Sequence, residues 1–224
     1  NYSRIASDTI RHSEKHAYPS FESMIDDIYA CIETIKSKCA ELGYELNQMA
    51  IGGYSAGAHL SMLYSTRHYA SSPLPIRFMI SWVGPSDMNM LFPSDEKQIQ
   101  ELLADSSQEA KAKQGELCMM VSGISGKPMA VENLSYDAIQ QVMSNVSPSN
   151  LGSAQTPPAV LAYGGKDTLV SAEHGKKMDS VLKSFGIESQ LYIYPNSGHE
   201  LGHDKEYTEQ VNDMISKYCK KYFK

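Results

Sequence analysis

Three short segments of this chain carry residue types suited to nucleophilic chemistry: Gly53-Tyr54-Ser55-Ala56-Gly57, Gly164-Gly165-Lys166-Asp167 and Asn196-Ser197-Gly198-His199. A serine hydroxyl attacks poorly near neutral pH. It needs an imidazole to take its proton and a carboxylate to hold that imidazole in the accepting tautomer. Ser55, Asp167 and His199 supply the three groups in the chain order nucleophile, acid, base. Taken singly, each has a plainer explanation. Ser55 could be a helix N-cap, Asp167 a turn residue beside two glycines, and His199 one of seven histidines. Their shared position, each just beyond a predicted strand, favours catalysis.

Apolar spacing defines the elements that must position them. Phe21, Met24, Ile25, Ile28, Ile32, Ile35 and Cys39 recur at three- and four-residue intervals, which predicts a helix with one continuous apolar stripe ending before Gly43. Residues 48–53 read as a short buried strand, and a second helix is expected from about residue 55 to 68. Residues 76–83 (IRFMISWV) have the β-branched and aromatic content of a strand and stop at Gly84-Pro85. From there to about residue 150 the chain is polar and methionine-rich, with helical patterns near 96–104 and 135–143. This stretch reads as an inserted cap region, about 88–147, in a single domain covering 1–224. AVLAY and QLYIY are further strands. Between them Met178, Val181, Leu182 and Phe185 stripe a helix closed by Gly186, and Val211, Met214, Ile215, Tyr218, Cys219 and Tyr222 stripe a terminal one.

The alternation predicts an α/β fold, a mostly parallel sheet with helices on both faces. In such a sheet functional groups collect beyond the carboxyl ends of the strands. There Gly53 and Gly57 are expected to make room for a sharp strand-to-helix turn at Ser55, with the Ala56 amide facing a developing oxyanion.

Composition narrows the partners. The 224 residues, 42% of them hydrophobic, can bury a substantial core. A net charge of −6 disfavours a phosphate-binding surface, so nucleic acid is not an expected partner, the short basic tail KYCKKYFK notwithstanding. No apolar run approaches the roughly 18 residues needed to span a bilayer. Cys31, Cys39, Cys118 and Cys219 are too scattered for a disulfide framework. Cys31 and Cys39 would stand about 12 Å apart on one helix, beyond disulfide reach. All four are expected to be reduced and mostly buried. No Cys-x-x-Cys pair is present, and neither a metal nor a cofactor is expected.

GGYSAGAHL resembles the nucleophile elbow of the α/β-hydrolase superfamily, and more narrowly of its small carboxylesterase and lipase-like members. YGGKDTLVSAEHGKKM is similar to the acid-bearing loop and following helix of that family, and YPNSGHEL to its histidine loop. NYSR, YPSFESMIDDIYACIETI and WVGPSDM extend the resemblance over most of the chain apart from the cap. It implies Ser55 as nucleophile, His199 as general base and acid, Asp167 as the orienting carboxylate and Ala56 as an oxyanion donor. Two departures stand out. Ala58 occupies a position where the family usually has glycine, which should only crowd the helix start. The His-Gly-Gly loop that supplies the family's other oxyanion amides is absent upstream of NYSR. If NYSR ends the family's fourth strand, the first three are missing and the elbow strand would carry an unpaired edge, so a native N-terminal segment is expected to complete the sheet.

Tyr54 and Asp87 are candidate substrate contacts, with Asp87 alternatively capping the start of the cap region. His203 competes with His199 as base but sits where the terminal helix begins. His59 is expected to pack or hydrogen-bond locally, and Asp204 to be an N-cap or first-turn residue of the terminal helix, favoured by its dipole. Met88, Met90, Met119, Met120 and Met129 fit either an adaptable pocket wall or an irregular core. The expected activity is hydrolysis of carboxylic esters of small to medium acyl groups through an acyl-enzyme, sugar acetates among them. A peptidase with the same triad and a non-catalytic binder of small ligands are the alternatives. The expected partner is a small-molecule ester, and self-association into a homo-oligomer is open.

Overall fold

A computed structural model describes residues 20–223, and NYSR lies outside them. Four strands, β1 (Met49–Tyr54), β2 (Ile76–Trp82), β3 (Ala159–Gly164) and β4 (Ser189–Tyr194), pair in parallel in the order β1-β2-β3-β4. Spatial order equals chain order, so each connection crosses to the adjacent strand and returns over a face of the sheet. β3 is buried along its whole length, as an interior parallel strand with both faces covered should be. Among the described residues β1 pairs with β2 alone.

The helices are α1 (Phe21–Glu41), α2 (Ala56–His68), α3 (Met88–Leu91), α4 (Glu96–Ala104), α5 (Gln108–Ser125), α6 (Tyr136–Asn145), α7 (Pro148–Leu151), α8 (Glu173–Ser184) and α9 (Lys205–Tyr222). They fall into two compact units. One contains residues 28–86 and 148–223; the other contains residues 20–27 and 87–147.

The first unit is the sheet with its covering helices. α9 lays Val211 and Tyr218 on Phe78, Val160, Ala162 and Tyr194, forming the core on one face. α2 and α8 take the opposite face, where Gly175 of α8 lets the ring of Tyr163 lie so close that a Cβ would stand 2.4 Å from it. α1 ends as its sequence predicts: Gly43 adopts φ +84°, and the Tyr44 amide turns back to the Cys39 carbonyl at 2.8 Å. Its stripe is shorter than predicted. Phe21, Ile25 and Ile32 are buried, but Ile35 is 53% exposed.

The second unit is helical. Asp95, Ser107 and Ser135 cap α4, α5 and α6, each side chain accepting an amide of the first turn. α5 was not legible as a helix. Its buried positions Ala110, Gln114, Cys118, Val121 and Ile124 follow helical spacing, but a glutamine sits among them and two glycines, Gly115 and Gly123, interrupt the segment. The buried Gln114 amide donates to the Leu102 and Asp105 carbonyls, tying α5 to the end of α4. The four cysteines are free, as expected, but only Cys118 is buried, and Cys31 is exposed.

Candidate active site

The site is built at the carboxyl ends of β1, β3 and β4. β1 runs into α2 through Ser55, whose φ of 54° and ψ of −118° place it outside the ordinary regions for a non-glycine residue. Such a conformation costs about 1–3 kcal/mol and persists only where its surroundings hold it. Here the Ser55 amide donates to the Trp82 carbonyl at 2.8 Å, and the Ser55 carbonyl accepts from His59 at 3.0 Å. The next strand ends repeat the arrangement. Val83, also at positive φ, donates to the Ala162 carbonyl, and Gly165 donates to the Tyr194 carbonyl.

The two motif glycines do not share the steric role expected of both. A Cβ on Gly53 would stand 2.3 Å from the Gly57 carbonyl carbon, so only glycine fits there. A Cβ on Gly57 would meet nothing within 4 Å. Ala58 does not crowd the helix start, because the room is made opposite it: a Cβ on Gly84 would fall 2.6 Å from the Ala58 methyl.

The loop after β3 carries Asp167. Its Oδ1 accepts the amides of Leu169 at 2.8 Å and Val170 at 2.9 Å, which leaves Oδ2 directed at His199. Gly164 allows this loop to abut the one after β4, since a Cβ there would lie 2.3 Å from the Gly198 carbonyl oxygen. The three side chains form one line. His199 Nδ1 is 2.7 Å from Asp167 Oδ2 and His199 Nε2 is 2.9 Å from Ser55 Oγ. The Asp167 side chain is completely buried and the His199 side chain 17% exposed. Buried carboxylate, oriented imidazole and a hydroxyl on half-buried Ser55 can make a proton path from serine to imidazole. Ala56 opens α2, so its amide has no helical carbonyl to serve and stands next to the hydroxyl in the chain.

His203 is exposed, and its backbone amide donates to the Ser197 hydroxyl. His199-Glu200-Leu201-Gly202-His203 has the His-Glu-x-x-His spacing that on a helix would put two imidazoles on one side. The segment is not helical, and both ring nitrogens of His199 are engaged by Asp167 and Ser55. His59 is fully buried in α2. Asp87 belongs to the second unit, where it is buried and caps α3, accepting the Asn89 amide at 2.8 Å.

Sequence reasoning missed two contacts around the histidine loop. Asp204 precedes α9 but does not cap it. Its carboxylate instead takes the Asn196 amide at 2.9 Å, the Asn196 side chain at 3.0 Å and the Ser197 hydroxyl at 2.7 Å, closing the base of the loop. Burial pushes the Asp204 carboxyl upward, but the hydrogen bonds from Ser197 and Asn196 outweigh it and hold the group below the usual carboxylate range. At the tip of the loop the Tyr54 hydroxyl donates to the His199 carbonyl, and the two rings meet edge to face at 5.8 Å. Burial, then the charges of Glu200 and Asp167, raise the Tyr54 phenol, which keeps it a donor.

With this geometry in place, comparison with known proteins gives a consistent result. The solved structures similar to the chain include a truncated carbohydrate esterase from gut microbiota, at a TM-score of 0.63 and 19% identity over 92% of this chain and 70% of that one. An acetyl ester-xyloside bifunctional hydrolase from Caldicellulosiruptor lactoaceticus is similar at a TM-score of 0.55 and 18% identity, covering 88% of this chain and 65% of that one. A Yersinia pestis protein named as a carboxymethylenebutenolidase is 36% identical over 47 residues, which is 21% of this chain and 18% of that protein. The chain thus spans just under two thirds of the bifunctional hydrolase and matches less than a fifth of the curated relative. The BD-FAE family profile matches residues 4–182, well over half of the chain, and the protein belongs to that family of esterase-type α/β-hydrolases.

Proposed function

We propose that the protein is a serine hydrolase that cleaves carboxylic esters of small to medium acyl groups through an acyl-enzyme, with carbohydrate acetates as the favoured substrates. The observation that carries this reading is the line Ser55–His199–Asp167, with heavy-atom separations of 2.9 and 2.7 Å. In the first half-reaction Ser55 Oγ bonds to the ester carbonyl carbon as its proton passes to His199 Nε2. The tetrahedral intermediate collapses, the carbon–oxygen bond to the alcohol breaks, and the imidazolium protonates the departing alcohol. In the second half-reaction water attacks the acyl-serine, gives its proton to His199, and releases the acid as Ser55 recovers the proton. Asp167, through Oδ2, holds the imidazole in the accepting tautomer and steadies the imidazolium. The Ala56 amide donates to the oxyanion in both intermediates.

The acetate preference is supported by the names of two similar structures, a carbohydrate esterase and an acetyl ester-xyloside hydrolase. Ser55→Ala is expected to lower kcat for p-nitrophenyl acetate by at least about a thousandfold. Hydrolysis at the parental rate by that variant would remove Ser55 from the mechanism. Faster turnover of short peptide amides than of acetyl esters would favour a peptidase on the same residues.

A further inference from the structure

We infer that Tyr54 is a positioning residue for His199, its hydroxyl latching the tip of the histidine loop to the nucleophile elbow. This rests on the proposed roles of Ser55 and His199. The observation is a closed circuit. Tyr54 is bonded through the chain to Ser55, whose hydroxyl lies 2.9 Å from the His199 imidazole, and the Tyr54 hydroxyl donates to the carbonyl of that same histidine. Nucleophile and base are therefore joined twice, once through the reacting atoms and once through a tyrosine that takes no part in proton transfer.

The loop is anchored on either side of His199. Asp204 grips its base at Asn196 and Ser197, and beyond it Leu201, at a positive φ of 53°, is buried in the core with Val211 and Tyr218. The Tyr54 contact falls between the two, on the residue that carries the imidazole. Its hydroxyl is thus committed to the main chain rather than free for substrate, while the residue as a whole is 45% exposed. Because the residue is so exposed, removing its hydroxyl leaves no cavity in the core.

The test is Tyr54→Phe in the full chain, beside the parent and Ser55→Ala. The variant is expected to keep the parental melting temperature within a few degrees and KM for p-nitrophenyl acetate within about twofold. Its kcat should fall about tenfold, and the rate of fluorophosphonate labelling of Ser55 by the same factor. The labelling rate reports the serine–imidazole pair without the ester, which a merely structural or substrate-contacting hydroxyl would not move. Parental kcat and labelling would overturn the inference. So would a raised KM at unchanged kcat, or a lower kcat at unchanged labelling, because each makes the hydroxyl a substrate contact. An inert Ser55→Ala with a fully active Tyr54→Phe removes the latch and leaves the triad standing; a fully active Ser55→Ala removes both.

Discussion

Glycines 53 and 57 look equivalent in the sequence, two positions either side of Ser55, yet they face different surroundings. Gly53 meets the backbone of the first turn of α2, while Gly57 faces open space. Gly53→Ala is therefore expected to destabilise the protein by about 2 kcal/mol or more, since backbone must move to admit the methyl. Gly57→Ala, in a helix with room around it, is expected to be neutral or mildly stabilising. Thermal unfolding of the two variants checks this; equal losses would show that the elbow depends on both glycines. That Ser55, His199 and Asp167 meet was legible because each follows a strand and because their types are chemically specific. The partner of the Tyr54 hydroxyl was not legible. It lies 145 positions away and is a carbonyl, which carries no side-chain signature.

At the scale of elements, the histidine loop is anchored by one carboxylate that the sequence presented as a helix-start residue. The spacing placed Asp204 correctly before α9, but nothing local distinguishes a carboxylate that caps forward from one that reaches back to Asn196 and Ser197. Its pH dependence separates the two. The carboxyl lies below the usual range when folded, so its contribution is fully present above the unfolded value near 4 and fades as pH falls through the lower folded value. Asp204→Asn is expected to lower stability at neutral pH and to narrow its deficit against the parent on acidification below about pH 4. Urea titrations between pH 3 and 7 measure this, and a deficit independent of pH would contradict it. α5 was missed for a related reason: a glutamine that is buried because it bonds two carbonyls looks like a surface residue in a periodicity count.

For the whole molecule, alternation of strand and helix signals was enough to indicate a parallel sheet covered on both faces. It could not divide the residues into units, because that division groups the start of α1 with residues distant in the chain. Among the described residues no helix is long and apolar enough to cross a membrane. The free thiols probe the folded chain as a whole. Cys118 is buried and burial raises its thiol pKa, whereas Cys31 is exposed. In native buffer at pH 8, Ellman's reagent is expected to react with Cys31 at least about a hundredfold faster than with Cys118, which becomes reactive only when the second unit opens. Equal rates, followed by mass mapping, would show that α5 is not packed as described.

The account as a whole stands on Ser55 being the hydroxyl that His199 activates. The most direct measurement is to label the chain with a fluorophosphonate and map the adduct by peptide mass. A single adduct on Ser55, abolished by Ser55→Ala and slowed at least about a hundredfold by His199→Ala, is the expected result. No adduct, or an adduct on another residue while Ser55 stays unmodified, would contradict it.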